Sequence, residues 1–510
     1  MTFTRAMRGV LTAGALLGAA TSAASAGGPF PGPAPNGPDI TICQWYGLTM
    51  VVGATTYRTG NIVGLTGATT SWNIGNVNAK WEQSPDSDHP VIAIGMFQLK
   101  NGRLRQVGSN WVKHGFFALS NTQCGPHPFL GGNCRSTNGS SLGVGCTDTY
   151  SANLNGSHTY LGPRFEVNPW SGLWSYTNSG FQTGGLPTGN IARRCQVDDS
   201  DLAQNLNSNN TAQYFAECYY VAADDVDVWN SAGWKPVTVT GNAGATYAFG
   251  MSNSTTDENS GFAYNAWPGA RQTVIAQQFP IVEKWTADND GPGGLIESPD
   301  GRAVLLSKVT DNGNGTWTYD YAIYNIDVDR QFGSFRVPLP AGITVTNVGF
   351  YNTPQHEAWN AEVGDPGRKA ADNVAWTSML DAGSIEWSTV AFSNPLPSNP
   401  LRWGNMYNFW FTANTPPIDG LATAGLFKPG SVGSIDGLTD VPSALPPPPF
   451  CLGDSNGDGA VTFADITQSL TSFGATYPPG SAGLGDADND GDVDFADVTV
   501  ILTQFGVPCP

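Results

Sequence analysis

Along most of the chain, apolar and polar residues alternate over short runs. That two-residue period belongs to strands, whose side chains point to opposite faces in turn. The clearest case covers 302–324: Ala303 to Val309 is a β-rich run, Asp311-Asn312-Gly313-Asn314-Gly315 is dense turn chemistry, and Trp317, Tyr319, Tyr321 and Ile323 then share one face. This pattern predicts a hairpin. Further strands are expected at Ser334 to Leu339, Ile343 to Tyr351 and Tyr407 to Thr412, separated by Pro and Gly. Residues 281–440 therefore read as an antiparallel β-sandwich-like domain. Upstream, 27–280 shows a looser version of the same pattern, with strands expected at Val91 to Leu99, Gly115 to Leu119 and Gln213 to Ala223.

Helical periodicity enters near the C terminus. Ile466, Leu470 and Phe473, and again Val498, Leu502 and Phe505, fall at i, i+4 and i+7, so each set lines one helix face and the two faces are expected to pack together. Prolines 446–449 precede them and predict a semi-rigid, extended spacer within a linker at 441–450. At the other end, Arg5 and Arg8 lead into an apolar run from Val10 to Ala20 that closes on Ala24, Ser25 and Ala26. This is the order of a secretory signal peptide, 1–26, cut after Ala26, which makes the protein secreted, to the extracellular space or the cell surface. The run is too short to cross a bilayer, and no later segment approaches the roughly 20 apolar residues of a membrane helix.

Composition sharpens the class. Only 13% of residues are charged, whereas Gly numbers 63 and aromatics reach 11%, a balance that favours strands and turns over salt-bridged helices. The fold class expected is mainly β, antiparallel and sandwich-like, with a small α-helical C-terminal domain at 451–510. A net charge of -19 argues against nucleic acid, which requires clustered Lys and Arg. From Pro429 onward there is no Lys or Arg, yet Asp occurs at 436, 440, 454, 458, 465, 486, 488, 490, 492, 494 and 497. Such a set repels itself unless a cation joins it. Eight cysteines in an exported chain predict disulfides; of the possible pairings, Cys195 with Cys218 is the one expected in the N-terminal half.

The acidic tail is an internal repeat. Gly453-Asp-Ser-Asn-Gly-Asp-Gly-Ala-Val-Thr-Phe-Ala-Asp465 matches Gly485-Asp-Ala-Asp-Asn-Asp-Gly-Asp-Val-Asp-Phe-Ala-Asp497, and each copy runs into a helical stretch ending Phe473-Gly474 or Phe505-Gly506. A hard cation takes about six to eight oxygens, which a loop of about 12 residues supplies from positions 1, 3, 5, 7, 9 and 12. In the first loop these are Asp454, Asn456, Asp458, the carbonyl of Ala460, Thr462 and Asp465; in the second, Asp486, Asp488, Asp490, the carbonyl of Asp492, Asp494 and Asp497. Gly459 and Gly491 occupy the sharp turn at position 6. Val461 and Val493 are expected to pair as a short strand between the loops. Two Ca2+ ions are the cofactors predicted, with folding and metal binding as one event.

The tail resembles a type I dockerin, an EF-hand-type duplicated calcium-loop and helix module. More narrowly, it is similar to the GC-type dockerins of secreted bacterial proteins, with flanking cysteines and a Phe-Ala-Asp signature. The resemblance covers about 60 of the 510 residues. It implies anchoring to a cohesin-like or other surface-anchoring protein. Loop positions 10 and 11, commonly hydroxyl residues in that family, are Phe463-Ala464 and Phe495-Ala496 here. Cys451 and Cys509 flank the repeats, and a disulfide clasp between them is worth about 4 kcal/mol in the chain-entropy model.

Other signals carry less. Gly139-Ser-Ser-Leu-Gly143 fits a nucleophile pattern but has no strand-to-helix context around it. His89, His114, His127, His158 and His356 form no pair at ligand spacing, which reads as isolated histidines. Asp148, Glu166, Glu217, Glu258 and Glu283 supply carboxylates for a glycoside hydrolase, which needs two of them beside a sugar. Sixteen Trp and sixteen Tyr suit either polysaccharide stacking or a sandwich core. A binding or structural role for 27–440, a secreted polysaccharide-degrading hydrolase and a carbohydrate-binding adhesin all remain open on the sequence.

Overall fold

A computed structural model describes residues 34–507 with interruptions, chiefly at 51–56, 203–211, 252–258, 276–300, 357–372, 445–450 and 478–483. The signal segment and prolines 446–449 lie outside the described residues. The chain divides into two compact units, Met1–Ser443 and Ala444–Pro510. No helix among the described residues is long and apolar enough to cross a membrane.

The larger unit is built from antiparallel sheets. In the first, strand Ile62–Asn73 pairs with Ile40–Met50, Thr147–Tyr150 and Cys195–Asp198. The second centres on Val91–Lys100 and Gln213–Val221, paired from Gln213 opposite Leu99 to Val221 opposite Val91. The third runs Arg271–Val274, Ala303–Asp311, Trp317–Asn325, Asn405–Ala413 and Val345–Tyr351 in spatial order. In the fourth the order is Thr377–Leu380, Ser384–Ser388, Phe332–Pro338, Pro417–Leu426 and Ser434–Pro442.

Alternation along the strands explains how these sheets stack. On Gln213–Val221, Tyr214, Ala216, Cys218 and Tyr220 enter a core with Trp45, Val63 and Leu65 of the first sheet. Phe215, Tyr219 and Val221 point the other way, into a core with Val304, Leu306, Ala322, Tyr324, Trp403 and Met406. The opposite face of the third sheet, including Tyr319, Tyr321, Ile323, Phe409 and Phe411, packs on Phe335, Val337, Ile385 and Trp387 of the fourth. Three apolar cores thus lie between four β layers, and the middle layers bury both faces, which is why their strands read as near-continuous apolar runs.

The predicted hairpin is present, with Ala303 opposite Asn325 and Asp311 opposite Trp317. Most other expected strands are also found, within a few residues of their predicted limits. Gly115 to Leu119 is a correction: the strand there is Val112–His114, and the chain then leaves the sheet, with Ala118 N–H donating to Gly139 O at 2.8 Å and Phe117 and Leu119 exposed. Arg271–Val274, expected in the first β domain, is the edge of the third sheet. Residues on both sides of position 280 share the middle core. Gln106 bridges them as well, donating to Gly404 O at 3.1 Å and accepting from Met406 N–H at 2.8 Å.

Disulfides join Cys43 to Cys124 and Cys134 to Cys146, stapling the Gly- and Ser-rich segment between the second and fourth of these. The expected bridge between Cys195 and Cys218 is not formed. The two lie on strands of different sheets that face one core, where each is buried as a thiol and packs as a small apolar side chain. Burial pushes the Cys195 thiol up to about 12.

Glu217 sits in the middle core at 3% exposure. It accepts from Tyr324 Oη at 2.5 Å and from Ala263 N–H at 2.6 Å. Burial outweighs both bonds and the Arg164 charge, raising the carboxyl from 4.5 to about 7. The folded state therefore favours the protonated acid: the stability it contributes is complete below pH 4.5 and is lost as pH rises towards 7. Glu217→Gln is expected to weaken this decline, so the thermal midpoint of the larger unit should fall less between pH 4.5 and pH 8 than in the parent. Parallel pH profiles from the two proteins, followed by near-ultraviolet circular dichroism, would contradict the assignment.

Candidate metal centre

The smaller unit contains helices Phe463–Thr471 and Phe495–Gln504. Thr462 and Asp494 cap them by accepting from Ala464 and Ala496 N–H, while Asp465 and Asp497 reach back to the N–H groups of Thr462 and Asp494 at 2.8 and 2.7 Å. Both helices thus begin with a capping box, which satisfies N–H groups that a helix start otherwise leaves open. Loop positions 9 and 12 consequently have a second task that donor spacing alone does not reveal.

The carboxylates converge. Oxygens from Asp454, Asp458 and Asp465 lie within 4.8 Å of one another, as do those of Asp486, Asp488 and Asp497, and of Asp492, Asp494 and Asp497. Asp465 and Asp497 are fully buried. In the first loop, Asp454 accepts from Gly457 and Gly459 N–H, both at 2.8 Å. Gly459 and Gly491 adopt φ of 86° and 99°, a left-handed conformation that glycine enters without the Cβ penalty. Each turns its N–H inward, Gly491 to Asp486 at 3.1 Å. Asn456 accepts from Asp458 N–H at 2.9 Å. Ala460 donates its N–H to Asp458 at 3.0 Å. Asp490 lies exposed between Asp488 and Asp492.

Two features mark these loops as short of positive charge. Asp486 Oδ1 is buried and meets no hydrogen-bond donor, although its sister oxygen does. The carboxyl of Asp488 is raised by burial and by Asp497, Asp490 and Asp486, and that of Asp492 first by Asp490. An all-oxygen donor set on flexible loops suits a hard divalent cation such as calcium.

The repeats interlock by exchange. Val493 accepts from Gly474 N–H at 2.8 Å and donates to Ala475 O at 3.0 Å, while Val461 accepts from Gly506 N–H at 3.0 Å. Each position-8 valine therefore pairs with the segment after the other repeat's helix, correcting the expected pairing of Val461 with Val493. The rings do likewise: Phe463 meets Phe505 at 4.9 Å and Phe495 meets Phe473 at 5.0 Å, both edge to face. The expected packing of the two helix stripes also needs correction. The core is Val461, Ala487 and Ile501, with Ile466 and Cys451 against it, whereas Leu470, Phe473, Leu502 and Phe505 are exposed. Cys451 is disulfide-bonded; Cys509 lies outside the described residues.

The other candidates resolve differently. Ser141 lies in a two-residue strand, Ser141–Leu142, paired with Ala79–Lys80, not at a strand-to-helix elbow. Asp148, Glu166 and Glu217 are all buried and held by interior donors, Trp81 Nε1 and Leu119 N–H for Asp148 and Gly180 N–H for Glu166. Glu258 and Glu283 lie outside the described residues. His89 and His114, read as isolated, are in contact: Nε2 of one lies 2.6 Å from Nδ1 of the other, against Trp174. Burial lowers His89 to about 4 and holds His114 well below the usual histidine range, so the pair is neutral at pH 7. A separation of 25 positions along the chain left no local signal for this contact.

Ile501 is the fully buried aliphatic centre of the small unit. Truncating such a residue costs about 2–5 kcal/mol, more than so small a core can spare. Ile501→Ala should therefore collapse the amide resonances of 451–507 towards random-coil positions in the full chain while those of the larger unit stay in place; an unchanged small-unit spectrum would refute this core. No family model matches the chain, and no curated protein matches it in sequence.

Proposed function

We propose that this is an exported protein held at a cell surface or in an extracellular complex by a calcium-dependent, dockerin-like module at its C terminus. The observation that carries this reading is the pair of matched loops in which carboxylates converge on a buried Asp465 or Asp497, with no Lys or Arg in the segment. One ion takes Asp454, Asn456, Asp458, the Ala460 carbonyl, Thr462 and Asp465; the other takes Asp486, Asp488, Asp490, the Asp492 carbonyl, Asp494 and Asp497. Neutralising these charges removes their mutual repulsion and locks the loops that carry both helix caps. The exposed rings of Phe463 and Phe495, 75% and 73% accessible, lie beside the loops and give a cohesin-like or other surface-anchoring protein an apolar contact.

The mature chain with Asp465→Ala and Asp497→Ala should bind two fewer calcium ions than the parent, counted by atomic emission after gel filtration. Chelation of the parent should also lower its helical circular dichroism, and equal ion counts in the two proteins would defeat the proposal. For docking, Phe463→Ala with Phe495→Ala should weaken calcium-dependent capture by immobilised cohesin domains at least tenfold while leaving the calcium count unchanged. Capture that is indifferent to chelator would remove the docking role.

A further inference from the structure

Seven Asn-Gly pairs occur in the chain, at Asn36, Asn101, Asn138, Asn155, Asn312, Asn314 and Asn456. Glycine carries no side chain to shield its backbone nitrogen, so each such nitrogen is placed to attack the amide carbon of the preceding Asn. Two things decide whether it does: whether that N–H is held elsewhere, and whether donors on the Asn Oδ1 stabilise the charge that develops there. The folded chain sorts the pairs by both. Gly37 N–H is given to Asn76 Oδ1 at 2.9 Å, Gly156 N–H to Ala152 O at 2.9 Å, and Gly313 and Gly457 N–H to the Asp311 and Asp454 carboxylates, both at 2.8 Å. An adjacent carboxylate also disfavours loss of the N–H proton. Asn101 sits at φ 53°, and no donor among the described residues meets its Oδ1. Asn138 comes nearer, its Oδ1 accepting from Ser140 N–H and Oγ at 3.2 and 2.8 Å, but Gly139 N–H still reaches Thr137 Oγ1 at 3.4 Å.

Asn314 meets both conditions. It stands at the tip of the hairpin formed by Ala303–Asp311 and Trp317–Asn325, where Asn314 and Gly315 are both exposed. Thr316 clamps its Oδ1, the N–H donating at 3.2 Å and Oγ1 at 2.7 Å, and Thr316 Oγ1 is itself oriented by Asn312 Nδ2 at 2.9 Å. Gly315 N–H donates to none of the described residues, and beyond its chain neighbours no atom lies within 4 Å of where a Cβ on Gly315 would stand, which leaves the nitrogen open to water. We propose that Asn314 is a self-modification site, deamidated through a cyclic imide with Gly315 ahead of every other Asn-Gly pair in the folded chain. Base in the solvent takes the Gly315 N–H proton, and the nitrogen's electron pair forms a bond to Asn314 Cγ. The oxyanion at Oδ1 is held by the two Thr316 donors until the Cγ–Nδ2 bond breaks and ammonia leaves with a proton from water. Water then opens the imide at either carbonyl, giving aspartate or isoaspartate, so the net change is uptake of water and loss of ammonia. Thr316 is a positioning residue in this reaction. The product adds a negative charge beside the exposed Asp311 and falls outside the paired run, which closes with Asp311 opposite Trp317, so the hairpin is kept.

For the test, the full chain is kept folded in mildly alkaline buffer made with heavy-oxygen water and then digested at acidic pH, and oxygen uptake is located by fragmenting the peptides. Uptake at Asn314 should be faster than at the other six sites, several-fold so against Asn101, Asn312 and Asn456. In urea, where the Thr316 clamp is gone, the lead should vanish. Thr316→Val, which removes the hydroxyl donor, should slow Asn314 several-fold in the folded protein and leave Asn101 unchanged. The proposal is overturned if Asn314 in the folded chain takes up heavy oxygen no faster than any of the other six, if its lead persists in urea, or if Thr316→Val leaves its rate unchanged in a protein whose circular dichroism matches the parent. The comparison of folded with urea-treated chain uses no variant, so it decides the matter even if Thr316→Val fails to fold.

Discussion

A carboxylate taken out of water must find a donor, a proton or a cation, and this chain buries carboxylates in both of its units. Glu217 has two donors, yet burial still raises it, so a proton supplies the rest. Asp148 is held by an indole N–H and a backbone N–H. Asp465 and Asp497 are surrounded by the N–H groups of their own loops and helix starts, an arrangement that supplies donors but no full positive charge. With few basic residues available, the chain balances its interior acids by backbone geometry, protonation and, on our proposal, by metal.

The larger unit depends on strands that are apolar on both faces. A strand with one polar face ends a stack; Gln213–Val221 and Trp317–Asn325 continue it, because alternate side chains enter different cores. This arrangement gives the middle core members from both sides of position 280. Polar groups admitted there are tied across the layers, as with Gln106 to the backbone near Gly404 and Tyr324 to Glu217. Each such bond fixes the register of one sheet on the next, since a slip would strand a buried polar group.

In the smaller unit, reciprocity does the equivalent work. Neither repeat completes its own loop strand or covers its own exposed phenylalanine, and each borrows the segment after the other's helix. Two copies are therefore the minimum that folds. Leu470 and Leu502 lie exposed as well, which leaves an apolar surface on a module that has little core to hold it together.

The sequence by itself determined the β class, the main hairpin, the break before the C-terminal unit and the duplicated acidic loops, because each rests on periodicity or spacing within about twenty residues. The convergence of loop carboxylates such as Asp454 and Asp486 is legible since the turn at Gly459 or Gly491 brings neighbours in sequence together in space. What only the tertiary structure decided was every contact between distant segments: the stacking of the sheets, the thiols of Cys195 and Cys218 left unjoined, the neighbouring rings of His89 and His114 and the outward turn of the helix stripes. Such contacts depend on which face of which strand meets which layer, and the two-residue period of a strand is the same whichever partner it packs against.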